Sequence, residues 1–316
     1  MGERLPLPYP NGWFRVCESE QLGNGDVKPI HYFGEDFVLF RDEGGVAHVL
    51  DAYCPHMGAH LGHGGAVEGD TLRCPFHAWR FDGKGKCVEV PYAKRIPAKA
   101  EMASHQVCEK NGIIMLWHDA EGRDPWWQLP DVPELESDEW TRPVRREWRV
   151  RSHAQEQMEN ICDPAHFQFV HGTPRPPEPT ASSEGHIFRL HAKLPFTTPR
   201  GEIEGTLDIE SHGFGMGVTR FSGIVDTTLV ITGSQVDDEL HETIIRFMVK
   251  KLPDERATSA VGDAFIAEIE KQYGEDIPIW ENKVFLDSPM LCDGDGPIGM
   301  LRNWATQFMP NGLAAN

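Results

Sequence analysis

CPHMGAHLGHGGAVEGDTLRCPFH, residues 54 to 77, decides how the first part of this 316-residue chain is read. Cys54-Pro55-His56 is followed by a glycine-rich connection of 17 residues and then by Cys74-Pro75-Phe76-His77, so two short loops each present one thiolate and one imidazole to a common point. Two Cys and two His at this spacing imply a metal, because thiolate and imidazole are the side chains that coordinate transition metals. Pro55 and Pro75 stiffen these loops, and Gly62, Gly64, Gly65 and Gly69 let them bend tightly around an inorganic core.

The pairing narrows the choice of metal. A structural zinc site also accepts two thiolates and two imidazoles, but it usually pairs Cys with Cys and His with His on separate elements. Here each loop carries one of each. A [2Fe–2S] cluster of the Rieske type needs that mixture, since one iron takes both Cys and the other both His. Zinc stays open as the alternative.

A chain of 316 residues has room for two domains, each with its own core. Its 40% hydrophobic and 25% charged residues are those of a globular protein, and no apolar run approaches the roughly 18 to 20 residues of a membrane helix. MGERLPLPYPNG lacks the basic start and apolar core of a secretory signal, so a cytoplasmic protein is expected. Of the seven cysteines, Cys54 and Cys74 are assigned to the cluster, and the scattered remainder, Cys87 included, reads as structural thiols in a reducing compartment. A net charge of −19 excludes nucleic acid as a partner, since phosphate binding needs dense Lys and Arg. The basic run RPVRREWRVR, 142–151, alternates with apolar residues and reads as the outer face of a strand.

Outward from the cluster stretch, residues 13–118 read as short strands. WFRV, IHYF, FVLF and VAHVL are separated by GNGD, GED and DEGG hairpin signals, and GIIMLW closes the unit. The Pro- and acid-rich segment 119–140 marks a boundary, with Trp126 and Trp127 available to anchor it on a domain face. We therefore expect an α+β chain: an all-β cluster domain over 1–120, then a domain over 121–316 with an antiparallel sheet and a long C-terminal helix.

The second domain carries another constellation, in EQMENICDPAHFQFVHG, 156–172. Asp163 and His166 lie three apart and share a helix face. His166 and His171 lie five apart, about 140° on an ideal helix, so only a π-type bulge or the end of the helix brings both to one ion. The plainer reading makes Asp163-Pro164 a helix start with the histidines incidental. Residues 173–185 are too rich in Pro for a regular element and read as a loop beside His171. Strands follow from 186 to 252, and an amphipathic helix begins near Ser259 or Val261. Phe265, Ile269, Tyr273, Asp276 and Trp280 fall on one stripe of it. A carboxylate on that stripe costs several kcal/mol unless it is paired or metal-bound, whereas Glu275, about 100° away, is expected to point outward. Two His from one segment and a carboxylate from a distant helix make the facial triad of non-heme Fe(II) sites, which leaves coordination positions open.

With both constellations assembled, the chain resembles the Rieske non-heme iron oxygenases, in their terminal oxygenase component, over nearly its whole length. Cys54, His56, Cys74 and His77 match the family's cluster motif, and Asp163, His166 and His171 match its Asp-x2-His-x4-His motif. The resemblance implies a helix-grip catalytic domain and a mononuclear Fe(II) held by His166, His171 and Asp276, with Asp263 and Asp287 as alternatives for the carboxylate. It also implies that Asp163 is not a ligand but a bridge between the cluster histidine matching His77, from a neighbouring subunit of a homotrimer, and His166. Where many members carry Asn four residues before that Asp, this chain has Glu159, with Asn160 beside it. CPHMGAHLGHG, CPFHAWRFDGKGKC and DIPIWENKVFLDSPMLCDGDGP are similar to the 3-ketosteroid 9α-hydroxylase oxygenases and related sterol desaturases. That likeness implies O2-dependent hydroxylation or desaturation of an apolar, steroid-like substrate. The resemblance to the terminal oxygenase component also implies a separate NAD(P)H-dependent reductase or ferredoxin as the source of electrons. The competing readings are a Rieske electron carrier and a sterol-binding redox module without oxygen chemistry of its own.

Overall fold

The computed structural model describes residues 4–198, 201–223 and 225–310. Two compact units are present, one formed by Trp13–Trp126 and the other by the residues before Trp13 together with those from Trp127 onward. No helix among the described residues is long and apolar enough to cross a membrane.

The 13–126 unit is built from short antiparallel strands. Val27–Tyr32, Glu35–Arg41, Ala47–Asp51 and Ser104–His105 form one sheet, and Ala66–Glu68, Thr71–Arg73, Arg80–Asp82 and Cys87–Glu89 form a second. Phe40, Leu50, Leu61, Leu72 and Phe81 are wholly buried between them, each contributing about 2 kcal/mol of transfer free energy. Cys54 and Cys74 belong to that same core. The first of the 54–77 loops leads into the second sheet, and the other joins Thr71–Arg73 to Arg80–Asp82. Both are therefore pinned by strand pairing on at least one side.

The second unit is organised on a seven-stranded antiparallel sheet. From Thr180–Glu184 to Leu240–Val249 it is a meander in chain order, and Val144–Val150 adds beside Leu240–Val249 at the far edge. Met216–Ser222, within the expected strand region, begins on the last two residues of the glycine-rich GFGMG. Another strand, Thr180–Glu184, ends the Pro-rich segment expected to be all loop; it pairs with Ile187–Thr198, so pairing overrides composition there. Among the described residues four α-helices complete the unit: α1 Ala154–Asn160, α2 Ala165–Phe169, α3 Glu255–Trp280 and α4 Ile298–Ala305. The α3 helix starts four residues earlier than the apolar stripe suggests, because Asp254 caps it by accepting from the Arg256 N–H at 2.9 Å.

One face of the sheet is covered by α3. Leu229, Ile245, Phe247 and Ile266 form the centre of that contact, with Phe265, Ile269 and Tyr273 packed beside them. The 127–135 segment packs elsewhere in this unit: Trp127 stacks on His186 with ring centroids 4.6 Å apart, and Glu134 accepts from Arg220 at 2.6 Å. Trp127, buried to 5% exposure, thus takes an anchoring role on this unit.

Candidate metal centres

The two loops of the 54–77 stretch are built alike. In the first, the Cys54 N–H donates to the Ala59 carbonyl at 2.9 Å and the Gly58 N–H donates back to the Cys54 carbonyl at 2.9 Å. In the second, the Cys74 N–H donates to the Trp79 carbonyl at 2.8 Å and the Ala78 N–H donates to the Cys74 carbonyl at 3.1 Å. Gly58 and Ala78 occupy the same place in each turn, both with positive φ (73° and 58°). Ala78 holds that conformation despite its Cβ, at a cost of about 1 kcal/mol or more. The tight turn brings each Cys beneath its own histidine.

Cys54 and Cys74 are buried to 3% and 1% exposure and their thiols are in hydrogen-bond contact. Burial, together with the neighbouring sulfur, pushes the Cys54 thiol up to about 11, while the His56 and Met57 N–H groups favour the thiolate. The Cys54 thiol therefore stays protonated at neutral pH unless a cation lies beside it and ionises it. The imidazoles of His56 and His77 face each other with centroids 4.6 Å apart, and His56 stacks on Trp79 at 4.6 Å. Trp79 is in turn fixed by donating from Nε1 to Tyr92 Oη at 2.8 Å. Two soft sulfurs inside and two half-exposed imidazoles outside are the donor set of a Rieske cluster, and the residues fit that group.

In the second unit the structure brings together His166, His171 and Asp276, with one ligand atom from each all within 4.8 Å of one another. The five-residue spacing is solved at the end of α2. Val170 and His171 both donate their N–H to the His166 carbonyl, at 2.7 and 3.3 Å, and Gly172 then turns the chain with φ of 71°. The last turn is thus widened to an i to i+5 closure, which places both rings on one side. Their centroids are 5.0 Å apart.

His166 gives its Nδ1–H to the Asp163 carbonyl oxygen at 2.5 Å, so Nε2 carries the lone pair that faces the trio. Burial lowers its pKa and keeps it neutral, as a ligand must be. His171 Nε2 stands 3.5 Å from Asp276 Oδ1, and its Nδ1 is 3.0 Å from Glu275 Oε2. Burial alone would lower the His171 pKa, but the carboxylates of Asp276 and Glu275 outweigh it and the net shift is upward. Asp276 is buried to 6% exposure, whereas Asp263 and Asp287 are exposed and outside the trio. Two imidazole nitrogens and a carboxylate on one side of an open cavity fit a mononuclear Fe(II).

Two neighbours of this trio were not assigned from the sequence. Glu275, expected to point outward, holds His171 from behind in a carboxylate–histidine arrangement that fixes tautomer and ring orientation. Glu275→Ala is expected to weaken iron(II) binding about 10- to 100-fold, measured by chelator competition, with the cluster absorbance intact. Asn160 is the other. Its Nδ2 donates to Asp276 Oδ2 at 3.2 Å and lies 3.3 Å from His166 Nε2. The amide absent at position 159 is therefore supplied one residue later. Glu159 instead forms a two-pronged ion pair with Arg302 of α4, at 2.7 and 2.9 Å, and Arg302 also donates to the carbonyls of Leu286 and Asp287. Arg302→Met strands Glu159 as a buried charge and is expected to cost about 3 kcal/mol, read as a lower urea midpoint.

Asp163 is placed differently from a direct side-chain partner of His166. Its Oδ1 accepts from the Ala165 N–H at the start of α2 at 2.9 Å, and Oδ2 stands 4.0 Å from His166 Nδ1. The carboxylate remains 36% exposed.

Above the trio lies a cavity of about 600 Å³ between the sheet, α1 and α3. Leu207, Ile231, Ile245, Phe265 and Ile269 give it apolar walls, and Thr173, Pro174, Arg175 and Pro177 of the Pro-rich segment also line it.

The chain was compared with known proteins. Residues 12–112 match the model of the Rieske [2Fe-2S] domain and residues 116–309 that of the 3-Ketosteroid 9alpha-hydroxylase C-terminal domain. Cholesterol 7-desaturase nvd 1 of Ciona intestinalis is 32% identical over 98% of this chain and 70% of its own length. The oxygenase component of 3-ketosteroid-9-alpha-monooxygenase from Rhodococcus rhodochrous is 31% identical over 96% of this chain and 84% of its own. Among solved structures, NdmB of Pseudomonas putida CBB5 shares the fold with a TM-score of 0.75 at 20% identity, covering 93% of this chain and 89% of that one.

Proposed function

Since this chain belongs to the Rieske non-heme iron oxygenases, with a C-terminal domain of the 3-ketosteroid 9alpha-hydroxylase type, we propose that it is the terminal oxygenase that hydroxylates or desaturates a flat, apolar polycycle of the steroid class. The observation that carries this is the convergence of His166, His171 and Asp276 at one end of an apolar cavity of about 600 Å³. That volume lies within the range that encloses a drug-sized ligand.

In this reading Cys54, Cys74, His56 and His77 hold the [2Fe–2S] cluster, and His166, His171 and Asp276 hold Fe(II). Bound there, the cluster supplies single electrons and the iron activates O2. The chain's own residues do the rest. Glu275 holds the Nδ1–H of His171 and Asn160 holds Asp276, so the ligands keep their orientation while one side stays open. Apolar walls press the substrate toward that side and exclude bulk water. The exposed part of the Asp163 carboxylate meets the His77 edge of a neighbouring copy in a homotrimer, and the Asp163 carbonyl carries the contact on to His166 Nδ1. Reducing equivalents come from a separate NAD(P)H-dependent reductase or ferredoxin, as the name "oxygenase component" indicates for the relative from Rhodococcus rhodochrous. Seven unbridged cysteines suit the cytoplasm.

The test is turnover of a 3-ketosteroid with the purified chain, a reductase, NADH and O2. Product that requires both O2 and reductase is expected. An iron-loaded protein that yields none from any of a panel of 3-ketosteroids and sterols would overturn the steroid assignment.

A further inference from the structure

Gln157 of α1 lines the cavity one helical turn before Asn160. Its Oε1 accepts two hydrogen bonds, from Thr243 Oγ1 at 2.9 Å and from Tyr273 Oη at 3.3 Å. Thr243, its hydroxyl hydrogen committed to Gln157, has His241 Nδ1 at 3.1 Å. Burial raises the Tyr273 pKa and lowers that of His241 to about 3, so the phenol keeps its proton and the imidazole is neutral at any ordinary pH. In this arrangement Thr243 and Tyr273 donate to Gln157 Oε1, and His241 Nδ1–H donates to Thr243.

Two groups are left over. Gln157 Nε2, with two N–H bonds, is buried and has no hydrogen-bond partner among the described residues. His241 Nε2, with its lone pair, is in the same position, set against Gly233, where a Cβ would come within 2.8 Å of it. Leu229, Ile231, Ile245 and Ile269 line the same cavity. A pure hydrocarbon filling it would leave the amide desolvated and unpaired, the arrangement that buried polar groups avoid.

We propose that Gln157 is the substrate's polar anchor: its Nε2–H donates to a carbonyl or hydroxyl oxygen of the steroid, so the cavity selects oxygenated polycycles over hydrocarbons. This rests on the steroid reading above. The anchor also sets position along the cavity. Gln157 stands about 4.5 Å along the helix axis from Asn160, which touches His166 and Asp276. An oxygen held there orients the ring system against the trio.

The experiment measures Kd for androstane-3,17-dione and for androstane, which lacks both oxygens, on the anaerobic metal-loaded protein. Wild type is compared with Gln157→Leu and with Gln157→Met, the latter close to Gln in length in case the branched side chain disturbs folding, which retention of iron beyond the two of the cluster reports. In both variants the ratio of the two affinities is expected to shift by roughly 10-fold against the dione. An equal change for the two ligands, or none for either, overturns the anchor while leaving the steroid reading intact. Failure of wild type to bind either ligand overturns the steroid reading itself.

Discussion

Asp276→Ala is expected to lower the iron content from about three to about two per chain while labile sulfide stays at about two. Turnover should fall more than about 100-fold, since loss of an outer-shell partner alone costs 10- to 100-fold and a ligand is worth more. Asp276 sits on the apolar stripe of α3 between Tyr273 and Trp280, where the Asn160 amide donates to it and His171 Nε2 stands 3.5 Å away. Without a metal such a carboxylate is a burden, because burying a charge costs several kcal/mol. The metal-free variant should therefore be at least as stable as metal-free wild type in urea. Full iron retention in Asp276→Ala would remove the carboxylate from the site. Lost stability in the metal-free variant would instead point to a structural ion pair with His171.

The second large effect is expected at Asp163. Asp163→Ala should keep both metal sites filled yet slow coupled turnover by more than about 100-fold, because the contact from a neighbouring cluster to His166 is broken. Asp163 also accepts from the first N–H of α2, and losing that bond costs about 1 kcal/mol. Asp163→Asn separates the two roles, since its amide oxygen still accepts from the Ala165 N–H while the charge is gone. The rate of cluster oxidation in a single turnover, started by mixing reduced protein and steroid with O2, is the readout. A slow rate in both variants supports the bridge. A wild-type rate in Asp163→Asn reduces the residue to that hydrogen bond, and a fully active monomer at assay concentration contradicts the trimer.

Much of this site is legible from local spacing. The expected cluster ligands His56 and His77 lie two and three residues from Cys54 and Cys74, within turns whose backbone closes on itself, so nothing distant has to be known. Asp276 is legible for a different reason: a carboxylate on an apolar helical stripe needs an explanation, and burial to 6% exposure bears out the stripe. Glu275 is not legible this way. Helical geometry sends it 100° from Asp276, yet His171, beyond the end of α2, is met by both carboxylates, one at each ring nitrogen. Asn160 and Glu159 show the same limit. Which of two adjacent residues faces the trio depends on Arg302, 143 positions away in the chain.

The sequence by itself determined the two-part plan, the cluster ligands expected in one short stretch, the histidine pair and the helical carboxylate, because each depends on contacts between residues close in the chain or on periodicity along one element. Only the tertiary structure decided how His166 and His171 converge at a widened helix end, which amide and which second carboxylate support them, and that Gln157 lines the cavity with an Nε2 that has no partner among the described residues. Those outcomes depend on the sheet, α1 and α3 closing around one cavity. Spacing along the chain carries no information about which side chains meet once distant elements pack at van der Waals contact.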